Sequence, residues 1–178
     1  MVAQPTGLAI GVPTPRVDGV DKTTGRATYT ADIQLDGALF GKTLRSPFPY
    51  ARIVSIDTSA AEQVPGVHAV VTGADIYEGA RHGRAVLDIP VLAQGVVRFI
   101  GEQVAAVAAD DEDIAQRALD LIEVEYEELP AVLTMDEAKA EGAPLVHEDM
   151  LQVKGYPKEV TEPSNVYTVW EWAKGDVD

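Results

Sequence analysis

The sequence contains no cysteine. The chain can therefore form no disulfide, and no thiolate of its own can hold zinc or an iron–sulfur cluster. Any such centre would have to sit on another chain. Basic residues are scarce too, with 14 Lys and Arg against 29 Asp and Glu and a net charge of −15. A surface of that sign repels nucleic-acid phosphates and anionic membranes, which argues against both as partners. No apolar run approaches the roughly 20 residues that a bilayer-spanning helix requires. The opening MVAQPTGLAIGVP lacks a basic stretch followed by a long apolar run, so no secretory signal is legible and a cytoplasmic location is expected. Histidine occurs only as His68, His82 and His147, with no pair at helical metal spacing, and all three read as structural or surface residues.

What is present suits a soluble globule. The 178 residues are 46% hydrophobic and 24% charged, ordinary values for a folded domain, and a chain of this length hides roughly 70% of its unfolded surface. Pro13, Pro15 and Gly19 keep the start irregular, and residues 1–14 are expected to form an extended arm. Strand character follows over Gly25–Thr30 and again from Ala38 to Ser46, ended by Pro47. Arg52–Asp57 is rich in β-branched residues, Ser59-Ala60-Ala61-Glu62 has capping-box spacing, and Pro65-Gly66 stops that helix before a strand at Val67–Val71. From Gly73 to Asp88 no period holds, which predicts a loop.

In VVRFIGEQVAAVAADD (96–111), Val96–Ile100 and Val104–Ala109 read as strands on either side of a chain reversal at Gly101. Glu102 and Gln103 are left free to point at a neighbour. The second strand holds nothing bulkier than valine, so a helix can approach it closely. That helix is expected over Glu112–Ile122, capped by Asp110 or Asp111, with Ile114, Ala118, Leu121 and Ile122 on its buried face. Alternation in EVEYEELP turns Val124 and Tyr126 inward and the glutamates outward. Thr134-Met135-Asp136-Glu137 opens a short helix that Gly142 ends. The domain is expected to end near residue 150, leaving 151–178 as a linker or tail in which Trp170 and Trp172 share one face of a strand. The fold class is α+β, a mixed α/β domain of short strands with two to three short helices.

Features that could carry chemistry have simpler structural accounts. Gly37-Ala38-Leu39-Phe40-Gly41-Lys42-Thr43 has three residues between its glycines where a phosphate-binding loop needs four, and Leu44-Arg45-Ser46-Pro47 cannot open the helix whose amides would hold a phosphate. Glu123, Glu125, Glu127 and Glu128 alternate onto a solvated strand face, whereas acid–base catalysis needs one carboxyl desolvated. Thr58-Ser59-Ala60 lacks the glycines of a nucleophile elbow, and Ser59 is already accounted for as a cap. Arg81-His82-Gly83-Arg84 is a basic loop on an acidic protein and reads as solvated.

Three segments together carry a family likeness: PRVDGVDKTTGRATYTADI, then GALFGKTLRSPFPYARIVSIDTSAAEQVPGVHAVVTGADI, then PVLAQGVVRFIGEQVAAVAADDEDIAQRALDLIEVEYEELPAVLTMDEA. From about Pro15 to Glu148 the chain resembles the a/b hammerhead domain that opens the large, molybdopterin-binding subunit of xanthine dehydrogenase and aldehyde oxidase-type molybdenum hydroxylases. Gly175-Asp176-Val177-Asp178 resembles the family's lead into the next domain. The resemblance implies an enzyme that hydroxylates aldehydes, purines or other N-heterocycles with oxygen from water, or oxidises carbon monoxide. It implies molybdopterin-bound molybdenum, [2Fe-2S] clusters and FAD on other domains or subunits, which are then the expected partners.

The family's glycine-rich pterin-binding segments, and its glutamine and glutamate beside molybdenum, lie downstream of the hammerhead region. No residue here is therefore assigned a catalytic, cofactor-binding or metal-ligating role. The isolated chain is expected to be inactive, as a subunit of a split enzyme or as part of a longer chain. By the same resemblance, the arm and tail would pack on the cofactor domains and the iron–sulfur subunit, and Gly79–Ile89 falls where some relatives line a substrate funnel. Two other readings compete: a stand-alone module holding an acidic small molecule on the Arg81–Arg84 loop, and a carboxylate hydrolase using the Glu123–Glu128 strand.

Overall fold

A computed structural model of the protein describes residues 13–33, 35–158 and 160–176. The chain divides between Ala38 and Leu39 into two compact units. The arm expected over 1–14 lies, except for Pro13 and Thr14, outside the described residues.

In the first unit, α1 (Gly19–Thr23) buries no residue. Asp18 precedes it and pairs with Lys22 at 2.7 Å and with Arg16. These bonds, that of Lys22 foremost, hold its carboxyl below the ordinary value. The strand expected over Gly25–Thr30 is absent. In its place a 3-10 turn forms at Thr30–Asp32, where the Asp32 carboxylate accepts the Tyr29 N–H at 2.8 Å. A local side-chain acceptor has satisfied the backbone group that a partner strand would otherwise have served. With α1, the described residues hold one helix more than the three read from the sequence.

The second unit is built on two antiparallel three-stranded sheets. In the first, β7 (Gln103–Ala109) lies between β1 (Phe40–Arg45) and β3 (Val67–Thr72); in the second, β2 (Ala51–Asp57) lies between β6 (Val96–Val97) and β8 (Glu123–Glu128). The small side chains of β7 let α3 (Glu112–Leu119) lie close. Ala105, Val107 and Ala109 are buried in one cluster with Ala115, Ala118 and Leu119, joined by Ala61 of α2 (Ser59–Glu62). The second sheet gathers Ala51, Ala93, Val97 and Val104, with the Phe48 and Tyr126 rings packed at 5.2 Å between centres and tilted 54° to one another. Ile56 and Val124 pack against both clusters, so the two sheets share one apolar seam. α4 (Met135–Lys139) opens at the expected capping box, its Glu137 N–H donating to Thr134 Oγ1. The architecture is the mixed α/β arrangement of short strands and short helices that the sequence predicts.

Several local expectations need correction. Strand β6 ends at Val97, and it pairs with β2 rather than with β7. Gly101 (φ 93°) therefore does not turn a hairpin but carries the chain from one sheet to the other. Helix α3 ends at Leu119, so its buried face is Ala115, Ala118 and Leu119, while Leu121 is 43% exposed. The residue before α2 is Thr58, not Ser59; the Ser59 N–H donates to Asp57, and Thr58 Oγ1 bonds Glu62. Inside the expected 73–88 loop, Arg81–His82 forms β4, which pairs with β5 (Ile89–Pro90). No strand forms over the described part of the last stretch, and Trp170 and Trp172 are 75% and 89% exposed.

The segment after residue 150 folds back onto this loop. The Leu87 N–H donates to the Lys154 carbonyl at 2.9 Å. A Cβ on Gly155 would lie 2.2 Å from the Ala85 carbonyl oxygen, so the contact requires glycine.

Candidate functional site

The junction between the sheets is held by backbone bonds around the Gly101 turn. Gly101 N–H donates to the Ser46 carbonyl at 2.8 Å, Ser46 N–H to the Glu102 carbonyl at 2.9 Å, and Ala93 N–H to the Gln103 carbonyl at 2.7 Å. Ser46 Oγ accepts the Phe48 N–H, and Arg45 Nη1 donates to the Gly101 carbonyl at 2.8 Å. These bonds pull Glu102 inward until it is 3% exposed, contrary to the expectation that it faces a neighbour. Its Oε2 accepts the backbone N–H of Arg98, and its Oε1 is buried without a partner. Burial raises the Glu102 pKa, partly offset by the Arg98 N–H bond and the Arg98 charge.

Arg98 reaches away from that bond. Its guanidinium donates to the Val146 carbonyl at 3.1 Å through Nε, drawing residues 146–149 against the loop that holds β4 and β5. There Arg81 Nη2 bonds Asp149 Oδ2, leaving Arg81 Nη1 and Asp149 Oδ1 buried without partners. Burial pushes the Asp149 carboxyl up, but the Arg81 hydrogen bond and charge outweigh it and the net shift is downward. His147 Nε2 lies 3.9 Å from Asp88 Oδ2, and its Nδ1 is buried without a partner. Desolvation, followed by the Arg98 charge, lowers the His147 pKa against the opposing pull of Asp88 and Asp149, so the ring is neutral at pH 7.

Arg81, Arg98 and Asp149 line a groove of about 1330 Å³, walled on other sides by β2, by residues 72–79 and by residues 152–154. Gln94 also lines it, its side-chain amide donating to the Gly73 and Ile76 carbonyls at 3.2 Å. The groove combines charged groups with apolar wall, the usual make-up of a small-molecule site.

The residues singled out in the sequence fall mostly elsewhere. Of the Arg81–Arg84 loop, only Arg81 reaches the groove; His82 and Arg84 are exposed, so no basic patch forms there. His68 sits on the surface, 2.7 Å from Asp110. Glu123, Glu125, Glu127 and Glu128 are exposed, with Arg52 on Glu127 at 2.8 Å. The segment 37–43 runs into β1, not into a helix. Among the described residues, no three His, Asp or Glu side chains gather where a metal ion could be held. Sequence reasoning named Glu102, but as a residue facing a neighbour, and His147, as a structural or surface residue; it missed Arg98 and Asp149, and the only local signal for the junction was an acid directly after a glycine between two apolar runs.

Residues 24–130 match the family described as "Aldehyde oxidase and xanthine dehydrogenase, a/b hammerhead domain". The chain belongs to this family. The hammerhead domain is 46% identical over 134 residues to a probable xanthine dehydrogenase subunit of Bacillus subtilis, covering 75% of this chain and 18% of that protein. It is 37% identical over 163 residues to the nicotinate dehydrogenase large molybdopterin subunit of Eubacterium barkeri, covering 92% and 35%. In structure it resembles a reconstituted CO dehydrogenase from Oligotropha carboxidovorans, with a TM-score of 0.72, 40% identity, and coverage of 79% of this chain and 18% of that one. The chain thus spans a fifth to a third of the length of these relatives. No helix among the described residues is long and apolar enough to cross a membrane.

Proposed function

We propose that this hammerhead domain is a noncatalytic scaffold of a cytoplasmic molybdenum hydroxylase, acting on an aldehyde, a purine, another N-heterocycle or carbon monoxide. The family match over residues 24–130 carries this reading. Molybdopterin-bound molybdenum, [2Fe-2S] clusters and FAD would be held by other domains or subunits, which are its partners. Residues 15–150 supply the scaffold in this reading, and 151–178 lead towards the cofactor-bearing part.

Support comes from the donor set of this chain. It offers no thiolate for an iron–sulfur cluster. The N-terminus of α3, where a phosphate group could otherwise dock, is occupied by the Asp111 carboxylate on the Ile114 N–H and flanked by Glu112 and Asp113. The groove's uncommitted buried groups are one donor on Arg81 and one acceptor on Asp149, a poor match to a pterin phosphate that needs several donors. The residues present do not fit these cofactors.

The test is reconstitution. Tagged chain is co-expressed with the polypeptides that carry the cofactors, and the purified assembly is assayed for reduction of an electron-accepting dye with aldehyde, purine and N-heterocycle substrates and with carbon monoxide. A stable complex whose activity depends on the chain is expected. An assembly fully active without it overturns the reading.

A further inference from the structure

Residues 146–154 form a strap against the loop that holds β4 and β5. At one end the Val146 carbonyl accepts from Arg98 Nε at 3.1 Å, and the Val146 N–H donates to Asn165 Oδ1 at 3.0 Å. Towards the other end Asp149 is paired with Arg81, and the Lys154 carbonyl accepts the Leu87 N–H at 2.9 Å. The strap is also a wall of the groove, to which it contributes Asp149, Gln152, Val153 and Lys154. Whatever lifts the strap therefore opens the groove on that side.

One side chain in the strap can change its charge near neutral pH. His147 lies between the two sets of anchors, its side chain 15% exposed. Four charges act on it: Arg81 on β4, Asp88 just before β5, Arg98 just after β6, and Asp149 on the strap itself. These two cations and two anions cancel, so the neutral ring completes a cluster of zero net charge. A proton on His147 adds an unbalanced cation where little water reaches. The carboxylate nearest to it, Asp88 Oδ2, is 3.9 Å from Nε2 and beyond hydrogen-bond reach. Burial, followed by the Arg98 charge, holds the ring neutral and its pKa below the ordinary 6.5. The imidazolium is hydrated once the ring leaves the cluster, and the ring leaves with the strap.

We propose that protonation of His147 unseats residues 147–154 from the β4–β5 loop, making the strap an acid-released wall of the groove. The sign follows from linkage. A ring that binds its proton more weakly in the closed form supports closure above about pH 6.5 and ceases to do so as pH falls through the closed-form value. A single proton changes the opening equilibrium by at most about tenfold per pH unit. The device lies within this chain and is tested without the assembly proposed above.

Amide hydrogen exchange of the ¹⁵N-labelled full chain, corrected for the intrinsic rate at each pH, reads the opening. The Leu87 N–H reports on the strap. The Ala115 N–H, which donates to the Asp111 carbonyl in α3, reports on the core behind the first sheet. Between about pH 7 and about pH 5, Leu87 protection should fall by at least about threefold and at most about a hundredfold, while that of Ala115 holds. His147→Gln is neutral throughout and should leave Leu87 protection level. Asp88→Asn keeps the histidine and every anchor of the strap but removes a carboxylate that favours the charged ring, and should move the fall to lower pH. Constant Leu87 protection in the wild type, a joint fall of Leu87 and Ala115, a wild-type response in His147→Gln, or an unmoved midpoint in Asp88→Asn overturns the proposal.

Discussion

The backbone N–H of Arg98 donates to the carboxylate of Glu102 four residues later, so an acid at the junction of two sheets closes its own turn from inside the protein. Its second oxygen has no partner, and burial raises its pKa above the ordinary 4.5. The folded state thus holds this proton more tightly than the unfolded one. Stability from this group is whole below about pH 4.5 and is lost as pH rises through the elevated folded value. Glu102→Gln keeps the shape and the acceptor for Arg98 but cannot ionise. Chemical denaturation of both proteins at about pH 4 and about pH 8 should show the variant gaining on the wild type at the higher pH. An identical difference at both pH values would mean that Glu102 is not desolvated.

His147 gives the opposite slope. Its folded pKa lies below the ordinary 6.5, so the unfolded state binds the proton more readily. Its contribution is intact above about pH 6.5 and is lost as pH falls from there through the folded value. His147→Gln should remove that loss, with stability falling less between about pH 7 and about pH 5 than in the wild type. An NMR titration of the His147 ring should give a midpoint below 6.5; a midpoint above it would place the ring under the control of Asp88 and Asp149 instead.

What was legible in the sequence was local. Thr134 and Asp111 cap helices where their spacing says they should, because a cap is decided within four residues. The valine and alanine run of β7 announced close helix packing, and alternation placed Val124 and Tyr126 on the inner face of β8. The site was not legible because its residues meet through contacts far apart in the chain. Glu102 is drawn in by bonds to Ser46 and between Gln103 and Ala93, and Arg81 finds Asp149 across 68 positions. The Trp170 and Trp172 alternation misled for a related reason. Alternation only proposes a strand, and a strand forms only where a partner supplies its hydrogen bonds.

Gly73 and Gly41 make a matched pair for testing the packing beneath the groove. A Cβ on Gly73 would lie 2.1 Å from the Ala93 carbonyl oxygen, while one on Gly41 meets nothing nearer than the Val107 carbonyl oxygen at 3.9 Å. Backbone cannot step aside as a flexible side chain can. Gly73→Ala should therefore destabilise the protein by about 2–4 kcal/mol and shift the Gln94 side-chain amide that bonds the Gly73 carbonyl. Gly41→Ala should lie within about 1 kcal/mol of the wild type, since alanine suits an exposed strand position at least as well as glycine. Equal costs would show that Ala93 does not approach Gly73 as closely as the structure has it.

The ion pair beside the groove should behave differently when broken and when replaced. Asp149→Ala leaves a guanidinium that is only 20% exposed with neither of its terminal nitrogens paired, and should cost about 2–4 kcal/mol. Arg81→Met leaves the Asp149 carboxylate at 40% exposure, where water can reach it, and should cost less. Asp149 also loses the partner that outweighs its desolvation, so its pKa should rise in that variant. R81M/D149L carries neither charge and fills the space with apolar atoms, so its stability should return to within about 1 kcal/mol of the wild type. Denaturant midpoints of the four proteins give the coupling as a double-mutant cycle. A double variant as unstable as the sum of the singles would mean that the two side chains act independently.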